Sequence, residues 1–151
     1  MAHNPVNHPA RPIYRAIGGL TGAYLAAFGV AGVIATSGEP FFSQSDMTAF
    51  GQGTNLANSV LSLLLGLVVL AGAAFGRNFD CVINKWSSWA LLLVGGFSLA
   101  FMQTEINILN FSVATVVVAW VLAMVLLMAG MYGKVGNEDD HKAWQAARLE
   151  L

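Results

Sequence analysis

Four long apolar runs constrain the fold of this chain more than any other feature. They cover about residues 16–36, 56–75, 86–102 and 111–132, and none of them contains proline, histidine or a charged residue. An α-helix rises about 1.5 Å per residue, so roughly 20 apolar residues cross the hydrocarbon core of a bilayer. The runs therefore predict an all-α integral membrane protein whose four spans form a helix bundle.

Strands are a poor alternative for these runs. A strand of a membrane barrel alternates apolar and polar residues, whereas residues 63–70 (LLLGLVVL) are apolar throughout. Helices also satisfy their own backbone groups, as hydrocarbon requires. The first run is longer than the roughly 7–15 residues of a signal-peptide core, so we expect it to remain as a helix.

The basic residues predict the orientation. If the four runs span a membrane, all seven Lys and Arg residues fall on one side: Arg11, Arg15, Arg77, Lys85, Lys134, Lys142 and Arg148. The charged residues of the loops on the other side are all acidic: Glu39, Asp46 and Glu105. Because basic residues are retained on the cytoplasmic side, both termini are predicted to be cytoplasmic. The formal net charge of −1 gives no electrostatic reason to expect nucleic-acid binding.

The chain divides into three predicted parts. Residues 1–15 form a cytoplasmic tail, residues 16–136 the transmembrane domain, and residues 137–151 a cytoplasmic amphipathic tail. Asn137 can cap a helix there, with acidic residues in its first turn. Trp144, Ala147 and Leu151 share one face, which fits a helix on the membrane surface and equally a helix docked on a partner.

Small residues recur at helical spacing along the runs, and they are candidates for close helix packing. Lipid tails are as apolar as leucine, so contacts between spans depend on close backbone approach. The predicted packing residues are Gly18, Gly22, Ala26, Gly29, Gly66, Gly72, Gly76, Gly95 and Gly96. Packing within one chain is the simpler interpretation, and a row of small residues left facing lipid would indicate a partner.

Aromatic residues mark the predicted membrane boundary. The predicted interface anchors are Tyr14, Trp86, Trp89, Tyr132 and Trp144. A weak internal repeat relates Asn55-x-x-Asn58 before the second run to Asn107-x-x-Asn110 before the fourth. Duplication of a hairpin and similar boundary chemistry both account for it.

Candidate chemistry is sparse in the sequence. The runs hold no ionisable group for a proton or ion path and no histidine for a haem. His3, His8 and His141 lie in the tails, and Glu39, Asp46 and Glu105 are better explained as solvated loop acids than as a cation site. The single Cys81 is predicted to lie in a cytoplasmic loop and cannot form an intramolecular disulfide. We therefore expect no enzymatic activity, no cofactor and no bound metal.

Several short strings resemble a family of small actinobacterial membrane proteins with four spans and no known function. They are MAHNPVNHP at residues 1–9, RPIYR at 11–15, GRNFD at 76–80, LNFS at 109–112 and YGKVG at 132–136. The Asn-Pro-Val-Asn-His-Pro string at residues 4–9 is the most specific. The resemblance implies a plasma-membrane location in a high-GC Gram-positive bacterium, and it transfers no activity or catalytic residue.

These observations favour a non-enzymatic membrane protein that packs against other subunits or against itself, with membrane lipids as its surroundings. In an actinobacterial membrane, an accessory subunit of a respiratory or cell-envelope assembly is the expected role. A passive channel or small-solute carrier with a pore between subunits is the alternative, because hydroxyls and glycines in the runs can line a path.

Overall fold

The computed structural model describes residues 5–149, and its regular structure is almost entirely helical. The helices are α1 (Arg11–Ala35), α2 (Leu56–Phe75), α3 (Phe79–Ala100), α4 (Val113–Tyr132) and α5 (Glu138–Leu149). Two short antiparallel strands, β1 (Thr48–Ala49) and β2 (Gln52–Gly53), form a hairpin before α2. The predicted all-α class is confirmed, while the hairpin was not predicted.

Local sequence explains where the helices begin. Pro12 lies in the first turn of α1, where its missing N–H costs no hydrogen bond. Asn55 caps α2 by accepting a hydrogen bond from the backbone N–H of Asn58 at 2.9 Å. Ser112 and Thr115 form a capping box at the start of α4. The predicted cap of α5 is confirmed, because the Asn137 side chain accepts from the Asp140 N–H at 2.7 Å.

The start of α3 differs from the prediction. The third apolar run was expected to begin at Trp86, but the helix begins at Phe79. The expected loop is reduced to a turn in which Gly76, Arg77 and Asn78 all have positive φ. Asp80, Cys81 and Lys85 are therefore helical, and the prediction that placed Cys81 in a loop is wrong.

The four long helices are arranged in a ring. Consecutive helices pack side by side, most extensively α1 with α2 and α3 with α4, and α4 closes the ring on α1. Diagonal contacts are sparse, and the β-hairpin touches both α1 and α4. The short connection between α3 and α4 thus joins two helices that pack against each other.

The inside of this ring holds polar residues as well as an apolar core, and many large apolar residues lie outside. Asn58 and Ser88 are buried alongside apolar residues such as Leu126. By contrast, 71% of Leu20 and between 37% and 74% of many other large apolar residues are exposed. Within the described part of the chain, α1, α2 and α4 are long and apolar enough to cross a membrane. An apolar exterior of this extent is unusual for a water-soluble monomer, which supports a membrane location.

Candidate functional site

At one end of the bundle, an ion pair joins α1 to α3. Nη2 of Arg11 lies 3.6 Å from Oδ2 of Asp80, and Nε of Arg11 donates to the Gly133 carbonyl at 2.9 Å. The Asp80 side chain is only 3% exposed, and its Oδ1 has no hydrogen-bond partner among the described residues. Because burial of an unpaired charge is costly, this carboxylate depends on Arg11.

A second arginine at this end stabilises the last turn of α2. Arg15 donates from Nε to the Ala73 carbonyl and from Nη2 to the Ala74 carbonyl. These carbonyls lie at the negative end of the helix dipole, where a cation is favoured. Gly76 has φ of +64°, and a Cβ on it would lie 3.1 Å from the Arg15 guanidinium. The predicted packing residue Gly76 therefore makes room for an arginine.

Two asparagine side chains fasten the segment after α4. Asn7 donates to the Gly136 carbonyl at 3.0 Å and accepts from the Gly136 N–H at 3.1 Å. Asn78 makes the equivalent pair of hydrogen bonds with Val135, at 2.8 and 2.7 Å. The N-terminal tail, the turn before α3 and the segment after α4 thus form one unit. We call it the tail end (residues 5–15, 73–81 and 132–137).

The aromatic side chains predicted as anchors lie in three different places. Tyr14 and Tyr132 pack together with a ring separation of 5.4 Å, and the His8 ring contacts both of them edge-on. Trp86 and Trp89 instead lie on the exposed face of α3. Trp144 lines a groove between α5 and the tail end, beside Val6 and Val82. Leu151, predicted to share the face of Trp144, lies outside the described residues.

Cys81 is a buried residue of the tail end. A Cβ on Gly133 would lie 2.9 Å from its Sγ, so the thiol is tightly covered by the segment after α4. The residue is therefore a poorly reactive thiol that packs as a small apolar group.

At the opposite end of the bundle, neutral side chains bind the loops through hydrogen bonds to backbone carbonyls. Asn55 donates from Nδ2 to the carbonyls of Ser43 and Ile108, and Asn110 donates to those of Ser45 and Thr54. Asn107 exchanges hydrogen bonds with the backbone of Phe111. Asn55 and Asn110 thus join the two long loops, while Asn107 fastens the second loop to itself. We call this unit the loop end (residues 36–55 and 101–112).

The β-hairpin connects the loop end to the bundle. The Gly53 N–H donates to Ser112 Oγ at 3.0 Å, and Thr115 Oγ1 donates to the Gly53 carbonyl at 2.8 Å. Gln52 Nε2 donates to the Tyr24 hydroxyl at 2.7 Å, so this phenol of α1 has a partner in β2. The N-terminal turn of α4 therefore holds β2 directly.

The predicted internal repeat is not equivalent in three dimensions. Asn55 is the N-cap of α2, whereas the N-cap of α4 is Ser112, and Asn107 lies five residues ahead of it. Asn58 is helical and buried, whereas Asn110 lies in the loop with φ of +53°. Similar boundary chemistry explains the pattern better than a duplicated hairpin.

Most of the predicted packing glycines lie at close contacts. Gly22 and Gly66 form the crossing of α1 with α2, where a Cβ on Gly22 would lie 3.0 Å from the Gly66 carbonyl oxygen, and Ala26 contacts Gly66 from the same side. The others each face mainly one residue of another helix. Gly18, Gly72 and Gly95 face the side chains of Asn84, Ile83 and Trp120, whereas Gly29 faces the backbone and Cβ of Leu63. Gly96 differs, because a Cβ there would meet no atom within 4 Å.

A cavity of about 250 Å³ lies within the ring, near the loop end. All four long helices line it, and no charged side chain does. Among the large residues that line the cavity, Leu61 on α2 and Val94 on α3 are exposed. We therefore place the mouth of the cavity between these two helices. Asn58 lines it too, and Nδ2 of this buried side chain has no partner among the described residues.

The remaining candidate ligands take part in local contacts. His8 accepts a hydrogen bond from the Ala10 N–H, and His141 contacts the Val6 carbonyl, while His3 lies outside the described residues. Glu39 accepts from Ser43. Across residues 5–149, no three His, Cys, Asp or Glu side chains are grouped so that they could hold a metal ion.

The fold and its apolar exterior define a helical protein with three helices suited to crossing a membrane. No protein family, curated protein or solved structure matches the chain.

Proposed function

We propose that this protein is a four-span integral membrane protein of the plasma membrane with both termini in the cytoplasm. It acts as a non-enzymatic accessory subunit that packs against another membrane protein or a second copy of itself. The polar side chains of the described region support a structural role, because they serve as helix caps and as links between segments.

The distribution of polar residues on α3 supports its role as the fourth span. The helix has 22 residues, which is enough to cross the hydrocarbon core. Its polar side chains Asp80, Asn84 and Ser88 are buried within the bundle, while Trp86 and Leu93 face outward. Polar groups of membrane helices face the bundle interior in this way.

The contrast between the two ends supports the orientation. Arg11 and Arg15 fasten the tail end, whereas neutral asparagines fasten the loop end. Cytoplasmic segments are enriched in Lys and Arg, so the tail end is assigned to the cytoplasm.

The outer face of α3 supports the proposal that the protein has a packing partner. Trp86, Trp89, Leu93 and Phe97 are exposed on this face at helical spacing, and the uncovered Gly96 lies beside them. A glycine in such a position allows another helix to approach closely, and the flanking aromatic rings supply contact area. Every other glycine predicted to pack already has a neighbour within the chain.

Two matched glycine substitutions test this proposal. Gly96→Leu blocks the outer face of α3, and Gly22→Leu blocks the internal crossing of α1 with α2. We expect wild-type protein in mild detergent to exceed the monomer mass by light scattering, or to co-purify with a partner identified by mass spectrometry. Gly96→Leu should abolish this association with an unchanged thermal midpoint, whereas Gly22→Leu should lower the midpoint.

Two results would contradict the proposal. One is wild-type protein that runs as a monomer and brings no other protein with it. The other is solute efflux from proteoliposomes above the rate of protein-free liposomes, which would favour a passive solute path.

A further inference from the structure

We propose that the cavity near the loop end binds one acyl chain of a bilayer glycerolipid, with the ester carbonyl of the lipid accepting a hydrogen bond from Asn58. The inference rests on the membrane location proposed above and adds a ligand to it.

The unpartnered amide of Asn58 points to a ligand that carries an acceptor. The side chain is only 4% exposed, and Ser62 Oγ donates to its Oδ1 at 3.3 Å. Its Nδ2 is a donor with no acceptor among the described residues. A buried polar group without a partner is destabilising, so an acceptor atom in the cavity would stabilise the fold.

The other lining groups restrict the ligand to a neutral, apolar molecule. The hydroxyl of Tyr24 already accepts from Gln52, and that of Thr115 already donates to Gly53. The rest of the wall is apolar apart from the Gln52 and Ser62 side chains, which bond to Tyr24 and Asn58. A cavity of about 150 Å³ holds a benzene molecule, so one of about 250 Å³ has room for a segment of hydrocarbon chain.

The position of Asn58 favours an acyl ester over other carbonyl compounds. It lies three residues after the N-cap of α2, or about 4.5 Å along the helix from the loop end. Ester carbonyls of glycerolipids lie at the corresponding depth, between the headgroups and the hydrocarbon core. The mouth between Leu61 and Val94 opens onto the apolar exterior, where lipid chains lie. A second groove along α3 shares Val94 and Leu109 with the cavity and provides room for the rest of the lipid.

Lipids with and without the carbonyl provide the test. Wild-type protein is placed in nanodiscs that contain equal amounts of diacyl and dialkyl phosphatidylglycerol of the same chain length. It is then transferred to mild detergent, and retained lipid is measured by native mass spectrometry. The diacyl form should be retained over the dialkyl form by about fivefold, as expected for one hydrogen bond. Equal retention of the two forms would overturn the proposal.

Substitutions test the role of the Asn58 amide and the role of the cavity mouth separately. Asn58→Leu should remove the preference for the diacyl lipid. Leu61→Trp narrows the mouth and should reduce retention of both lipids. Leu64→Trp is the matched control, because Leu64 is as exposed as Leu61 on the same helix but does not line the cavity. An equal loss in Leu64→Trp would contradict the assignment.

A short-chain benzoquinone added to the nanodiscs tests the competing ligand. One-for-one displacement of the diacyl lipid by the quinone would overturn the lipid assignment. If no lipid bound, the association of wild-type protein and its loss in Gly96→Leu could still be observed. The lipid proposal and the accessory-subunit proposal therefore fail separately.

Discussion

The tail end and the loop end perform the same structural task with different chemistry. Both fasten loops to helix ends through hydrogen bonds from side chains to backbone carbonyls. At the tail end two of the fasteners are arginines, Arg11 and Arg15, whereas at the loop end Asn55, Asn107 and Asn110 are neutral. The charge asymmetry of the chain is therefore built into its packing as well as into its surface.

Both ends use asparagine side chains to bind backbone groups. Asn7 and Asn78 bind the segment after α4 as Asn55 and Asn110 bind the long loops. An amide both donates and accepts, so a single side chain can satisfy two backbone groups without a charge. The arginines at the tail end therefore add charged hydrogen bonds and an ion pair, neither of which is described for the loop end.

The largest expected effect concerns orientation. In a Cys81→Ala background, Gln103→Cys at the loop end should react with an impermeant maleimide in intact cells. Arg77→Cys at the tail end should react only after lysis. Both residues are exposed, and the proposed orientation places them on opposite sides of the membrane. Labelling is followed by a mass shift on gels, and reaction of Arg77→Cys in intact cells would reverse the assignment of the two ends.

The next effect concerns the ion pair at the tail end. Arg11→Leu leaves Asp80 buried without its partner, so we expect the free energy of unfolding to fall by about 3 kcal/mol. The double variant Arg11→Leu/Asp80→Leu should recover most of this loss. Lys134→Leu is the control, because the Lys134 side chain is exposed at the same end, and it should change stability by less than about 0.5 kcal/mol.

These values can be measured by denaturant unfolding in detergent. If the single and double variants were equally destabilised, the pairing of Arg11 with Asp80 would not be the reason for the loss.

A smaller effect is expected for the reactivity of Cys81. The thiol is buried and covered by Gly133, so it must be uncovered before it reacts. Maleimide labelling of folded protein in mild detergent should therefore be slower than labelling of protein unfolded in denaturant. Equal labelling rates in the two states would contradict the burial of Cys81.

The smallest effect is expected at the loop end. Asn55→Ala removes the cap of α2 and two hydrogen bonds to loop carbonyls, which should reduce the free energy of unfolding by about 1–2 kcal/mol. Gln44→Ala, which removes an exposed contact of the same loop, is the control. A loss from Asn55→Ala as large as that from Arg11→Leu would remove the distinction between the two ends.

Much of the helical structure could be predicted from the sequence. The run at 56–75 coincides with α2, and the Asn137 cap marks the start of α5. The start of α3 was missed because Asp80, Asn84 and Lys85 interrupt the apolar pattern. Two of these residues are buried through contacts with α1, since Arg11 pairs with Asp80 and Gly18 leaves room for Asn84. Local hydropathy does not report such distant partners.

The polar links at the two ends were less predictable. The position of Asn55 before an apolar run is typical of a helix cap, and Asn78 after Gly76-Arg77 is typical of a turn, so these two could have been identified. The partners of Asn7 and Asn110 could not, because they lie 129 and 56–65 residues away in sequence. Cavities also depend on how helices meet, and the unsatisfied amide of Asn58 has no signature in the sequence.

The pairing of Asn7 with Gly136 has a consequence for how the protein is made. The two residues are 129 positions apart, so the N-terminal segment emerges from the ribosome long before its binding site exists. At roughly 5–20 residues per second, translation must continue for about 6–26 seconds before the contact can form. The N-terminal segment is therefore fixed in place only after α4 has been synthesised.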